Sequence, residues 1–89
     1  MLSRAERLEQ LLKAGLQTDQ ITIVNRSEDH RHHAGDDGTG ETHYDIVVVA
    51  DIFSGQNRVQ RQRTVNKIVQ SEFDQGLHAL SMTLKAPEE

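Results

Sequence analysis

Leu8, Leu11, Leu12 and Leu16 recur at helical spacing, with Arg4, Glu9, Gln10 and Lys13 on the remaining faces. Ser3-Arg4-Ala5-Glu6 has the form of a capping box, so the helix is predicted to start there, and Gly15 is its predicted exit. Ile21-Thr22-Ile23-Val24 alternates and is β-branched, the pattern of a short strand. The following residues to Glu41 hold Asp29, Asp36, Asp37 and glycines without a hydrophobic period, which is loop composition. From Thr42 to Ala50 a strand is predicted with Tyr44, Ile46, Val48 and Ala50 on one face and His43, Asp45, Val47 and Val49 on the other. Its near-continuous apolar run places it at the centre of a sheet.

Asp51-Ile52-Phe53-Ser54-Gly55 reads as a turn in which Phe53 plugs the core. A single helix is predicted from about Asn57 to Phe73, with Val65, Ile68, Val69 and Phe73 on one stripe and Gly76 after its end. Leu77 to Leu84 forms the last strand; Leu80, Met82 and Leu84 point one way, and His78 shares their parity. Residues 85–89 are read as a tail and 25–41 as a flexible histidine-rich loop. The order helix, strand, strand, helix, strand predicts one α+β domain over residues 1–89, its helices on one face of a three-stranded sheet.

Composition narrows the chemistry. Hydrophobic residues at 35% and charged residues at 27% suffice for a modest core in a chain of 89 residues. The absence of cysteine excludes disulfides, thiolate ligands from this chain and a cysteine nucleophile. No apolar run approaches the roughly 20 residues that span a bilayer, and a cytoplasmic location without membrane contact is expected. The formal net charge of −4 works against an electrostatically driven nucleic-acid binder. No phosphate-binding glycine loop, nucleophile with a spaced base or His-Glu-x-x-His pattern is present, so catalysis is not expected.

The unusual feature is histidine: His30, His32, His33 and His43 lie within or beside the loop, and His78 lies near the other end of the chain. For the loop histidines the ordinary reading is a solvated polar segment that picks up zinc, nickel or copper adventitiously. For His78 it is a partly buried ring hydrogen-bonded to a carbonyl, and for His43 an exposed or edge-packed ring. The helix also carries Arg58, Arg61, Arg63 and Lys67, which is either a solvated face or a phosphate-binding one.

Several separate stretches together resemble BolA-like proteins over nearly the whole chain. They are Asn25 with Ser27, Glu41-Thr42-His43-Tyr44, Phe53-Ser54-Gly55, Arg61-Gln62-Arg63-Thr64-Val65 and His78-Ala79-Leu80-Ser81. Two departures stand out: Gln62 occupies the place between the arginines where the family usually has histidine, and the loop is longer and richer in histidine. The resemblance implies a KH-like fold of the second type with a mixed sheet. It also implies a monothiol glutaredoxin as partner, sharing a [2Fe-2S] cluster that glutathione helps to ligate and that the isolated, monomeric chain does not hold. On this sequence the implied ligands are His78 and one loop histidine, either His30 by its distance after Ser27 or His33 in His-Ala-Gly, with His30 the first choice and His43 in a supporting position. Two histidines replace two cysteines on one iron in Rieske-type centres, and a cysteine-free chain suits that half of the ligand set. The resemblance equally raises DNA as an alternative partner, through Arg58, Arg61, Arg63 and Lys67; against RNA, Gly55-Gln56-Asn57 lacks the second glycine of a Gly-x-x-Gly loop.

Overall fold

The computed structural model describes residues 2–26 and 42–89. Ser3 and Glu6 form both halves of the capping box, and helix α1 runs Arg4–Leu16. It does not leave at Gly15. The exit is Gln17, in the left-handed region at φ 52°, while Gly15 lies within the last turn. Glycine is required there for a different reason: a Cβ would sit 2.8 Å from Ile68 Cδ1.

Strands β1 (Ile21–Asn25), β2 (His43–Val49) and β3 (Ala79–Lys85) form one sheet in that order. β1 runs antiparallel to β2, with Ile23 opposite Ile46; β3 runs parallel to it, with Ile46 opposite Met82. β2 is central, as its apolar run requires, and Tyr44, Ile46, Val48 and Ala50 are all buried. Asn25 belongs to β1 and Arg26 donates its backbone N–H to the His43 carbonyl at 2.7 Å, so the predicted loop begins later than residue 25.

The parallel β2–β3 pair needs a crossover, and it carries the second helical region. A short 3-10 turn, Asp51–Phe53, inserts the fully buried Phe53 ring beneath the helices, and Gly55 turns the chain at φ 81°. The one long helix expected here is two: α2 (Arg58–Ile68), capped reciprocally by Asn57 and Gln60, and α3 (Gln70–Asp74). The break is at Val69, whose ψ of 13° departs from the helical value of about −42°. The apolar stripe continues through the break, with Val65 and Val69 fully buried and Ile68 and Phe73 packed against them. That continuity conceals the kink in the sequence.

After the kink Glu72 turns inward rather than to solvent. Its carboxylate, 2% exposed, accepts from Arg4 Nε at 3.3 Å and from Arg7 Nε and Nη2 at 2.9–3.1 Å. Arg4 Nη2 also donates to the Gln75 carbonyl at 2.9 Å, so α1 is bolted to the end of α3. The last four residues are not a loose tail. Ala86 is buried, the Ser54 hydroxyl donates to Glu88 at 2.8 Å, and the Glu89 carboxylate is held by Arg61 Nη1 and Nη2, each at 2.6 Å.

The result is the α+β layering expected from the sequence: helices and core on one face, with Leu8, Leu12, Phe53, Val65 and Val69 against Tyr44, Ile46 and Val48. The other sheet face carries Thr22, Val24, Asp45, Val47, Ser81 and Thr83. Among the described residues no helix is long and apolar enough to cross a membrane.

Candidate functional site

The parallel register pairs His43, first residue of β2, with Ala79, first residue of β3. His78 therefore arrives at the same end of the sheet as His43. Gly76, at φ 120°, makes the turn that a side chain would oppose. Leu77, 4% exposed, then plugs the core, and its N–H donates to the Glu72 carbonyl at 2.9 Å. The Thr42 carbonyl next accepts from the N–H groups of both His78 (2.8 Å) and Ala79 (3.1 Å). These bonds hold the His78 backbone on both sides while leaving its side chain at the surface. The parity argument placed His78 on the apolar face; the strand begins one residue later, so alternation does not govern it.

The two rings are neighbours, with centroids 6.2 Å apart and planes inclined by only 10°. That separation is within the range of about 4.5–7 Å over which aromatic pairs interact. Thr42 Oγ1 lies 2.8 Å from His43 Nδ1 and is itself almost fully buried, which fixes the His43 ring. The His78 ring lies nearly parallel to it. Stacked rings aim their lone pairs along nearly parallel planes, whereas a metal ion must lie in the plane of each imidazole that binds it, at about 2.1 Å from nitrogen. One of the two rings would have to turn for both to bind one ion. As placed, the two rings do not jointly present nitrogens to a single ion.

The described residues that flank 27–41, Arg26 and Thr42, both lie at this spot. On one side Arg26 bonds the His43 carbonyl; on the other, Thr42 precedes His43 and accepts from His78. Arg26 Nε also meets Asp45 at 3.0 Å. His30, His32 and His33 belong to that segment and lie outside the described residues. Among the described residues no three His, Asp or Glu side chains converge as a metal site would need.

The basic residues of α2 divide. Arg61 is spent on the fold: besides Glu89, its Nε donates to the Gln56 carbonyl at 2.9 Å and Nη1 to the Leu84 carbonyl at 3.1 Å, with the guanidinium 5.9 Å from the Phe53 ring centroid. Its fork is already filled by Glu89, unlike that of an arginine free to meet a phosphate. Arg58, Arg63 and Lys67 are exposed. The Arg61 fork and the Ala86 N–H together lower the Glu89 carboxyl to a pKa of about 2.

Comparison with known proteins agrees with this architecture. The family model of BolA-like proteins matches residues 12–89. The chain belongs to the BolA-like family. A relative, the UV-induced protein uvi31 of Schizosaccharomyces pombe, is 42% identical over 99% of this chain and 90% of its own length. The solved structure of BolA1 from Arabidopsis thaliana superimposes with a TM-score of 0.86 at 37% identity, covering 99% of this chain and 96% of that one. The DNA-binding transcriptional regulator BolA of Escherichia coli is 31% identical over 86% of this chain and 70% of its own length.

Sequence reasoning found His78 and His43 but not their adjacency, which depends on a parallel register that no local pattern encodes. It gave Thr42 no role beyond its motif and strand entrance, and it missed Glu72 altogether. Thr42 had a signal, a hydroxyl next to a histidine at a strand entrance; Glu72, in a polar stretch of helix, had none.

Proposed function

We propose that this BolA-like chain is a non-enzymatic adapter that binds a monothiol glutaredoxin and completes, with imidazole ligands, a [2Fe-2S] cluster whose remaining ligands are the glutaredoxin thiolate and glutathione. The observation that carries the reading is the placement of His78: its backbone is fixed, its ring is exposed, and it stands where both anchors of the histidine-bearing segment meet. His78 supplies one ligand. The second comes from that segment, His30 first and His33 next, and His43 keeps the His78 ring oriented while Thr42 keeps His43. Ligands oriented in this way by neighbouring groups are the general pattern of protein metal centres.

Bound there, the cluster supplies an electron-transfer centre with a histidine-ligated iron, whose potential lies above that of an all-thiolate centre. The chain's own part is to present neutral imidazole nitrogen at an exposed edge, where a thiolate donor on another molecule has access. Mixing the chain with a monothiol glutaredoxin, glutathione, ferrous iron and sulfide tests this by visible circular dichroism. The spectrum of the mixture is expected to differ from that of the glutaredoxin alone, and His78→Ala to abolish the difference. Identical spectra with and without the wild-type chain would end the proposal.

A second reading, DNA binding, draws support from the printed name of the Escherichia coli relative. On this chain it would rest on Arg58, Arg63 and Lys67, since Arg61 is already engaged. It predicts DNA retardation whose salt dependence weakens in Arg63→Ala and Lys67→Ala; no retardation at low salt rejects it.

A further inference from the structure

The opposite end of β3 carries a second surface, which the histidine site does not use. Among the described residues β3 is an edge strand, paired with β2 alone. Ala79 N–H donates to Thr42, and Ala50 N–H donates to the Lys85 carbonyl, so the odd-numbered residues of β3 turn their backbone groups toward β2. The backbone groups of Leu80, Met82 and Leu84 therefore point outward, and the Arg61 bond to the Leu84 carbonyl is made on that outer side. Apart from that Leu84 carbonyl, such a row of outward backbone groups is a template for another strand.

Beside this edge, toward the start of α2, runs a groove of about 490 Å³ whose lining includes Gln56, Arg58, Arg61, Met82 and Leu84. Three properties of the groove define what it accepts. Arg61 already grips a carboxylate there, that of Glu89, through a two-pronged contact. No carboxylate among the described residues pairs with the exposed Arg58. The side-chain oxygen of Gln56 is buried in its wall with no hydrogen-bond partner among the described residues, so a donor would reach it only after the side chain turned.

We propose that this groove docks an extended, acidic segment of a partner protein, which adds a strand to the outer edge of β3 and places a carboxylate on Arg58, or on Arg61 in place of Glu89. A peptide backbone offers both the N–H groups and the carbonyls that a strand edge pairs with. A nucleic acid answers the arginines with phosphate but brings no repeating N–H to the edge, and the chain's net charge of −4 repels it. A second copy of this chain, pairing edge to edge, would bring a β3 whose one charged side chain is Lys85, not a carboxylate. The groove is independent of the cluster reading, and His78→Ala leaves it intact.

The test uses the full chain, isotope-labelled, titrated to millimolar concentration with an acetylated peptide of alternating Glu and Val, and separately with the Lys and Val counterpart and with oligothymidylate. The Glu peptide is expected to protect the Leu80, Met82 and Leu84 amides from hydrogen exchange. Arg58→Glu should weaken it by about tenfold or more, the loss of one charge-assisted contact. Glu89→Gln should strengthen it by removing the internal competitor. The proposal is overturned if those amides stay unprotected, if the Lys peptide binds equally well, if only oligothymidylate perturbs the groove, or if sedimentation shows that the protection comes from a dimer of the chain itself.

Discussion

Replacing Glu72 with alanine removes the acceptor that two arginines share and leaves Arg4, with a side chain only 6% exposed, holding a charge met by the Gln75 carbonyl. Breaking a buried ion pair by deleting one partner destabilises by about 3–5 kcal/mol. Arg7 contributes little to this sum because its side chain is 33% exposed and water replaces the lost contact. The surviving Gln75 bond softens the loss at Arg4, so the lower end, about 3 kcal/mol, is expected. A domain of this length has a total stability of roughly 4–13 kcal/mol, so the loss is a large fraction of it. At about 4–8 °C per kcal/mol the midpoint should fall by roughly 12–24 °C. Urea titration followed by far-ultraviolet circular dichroism measures the change, with the denaturant slope unaltered if only the native state is affected. Arg4→Met combined with Glu72→Met should be much milder than the two single changes added, because a well-packed apolar pair avoids the desolvation of both charges. A Glu72→Ala loss below about 1 kcal/mol, or a double variant as unstable as the sum of the singles, would show that the clamp does not hold α1 to α3.

Gly15→Ala should destabilise the chain by about 1 kcal/mol despite alanine's better helix propensity, because the added methyl meets three atoms of Ile68 at 2.8–3.0 Å. Combining it with Ile68→Ala should recover the propensity gain, and thermal melts of the pair against Ile68→Ala alone will show whether it does. The Glu89 carboxyl, lowered to about 2 by Arg61, should contribute stability that is complete above its ordinary pKa of 4.5 and lost as pH falls through about 2. A carbon-detected titration of that carboxyl tests the assignment, with the midpoint returning toward 4.5 in Arg61→Gln; a midpoint near 4.5 in the wild type would mean that the contact is not held in solution.

What the sequence disclosed, and what it hid, follows from the range of the forces involved. The alternation of Tyr44, Ile46, Val48 and Ala50 reports one strand's burial directly, and each of these side chains is buried. The capping boxes at Ser3 and Asn57 are local, and Ser3-Arg4-Ala5-Glu6 was readable as one. The break at Val69 was not, because Val65, Val69 and Phe73 keep a helical period across it while the backbone changes direction. Burial of Glu72 depends on Arg4 and Arg7, 68 and 65 residues away in the chain, and a lone glutamate in a helix reads as a solvated charge. Arg61 misled in the opposite sense, since a basic residue near three others suggests a phosphate face, yet its fork is closed by Glu89. The histidines divide in the same way. His78 was identified by its motif, whereas its adjacency to His43 follows from strand order, and the residues of the 27–41 segment lie outside the described structure.

The proposed function turns on ligation of iron by the imidazole of His78. Pulsed electron paramagnetic resonance of the reduced cluster, assembled from a monothiol glutaredoxin, glutathione and the chain carrying nitrogen-15 only in histidine, reads it most directly. The account predicts strong couplings to two histidine nitrogens, one of them lost in His78→Ala and both retained in His43→Ala, where only their anisotropy changes. Two undiminished couplings in His78→Ala, or none in the wild type, would contradict it.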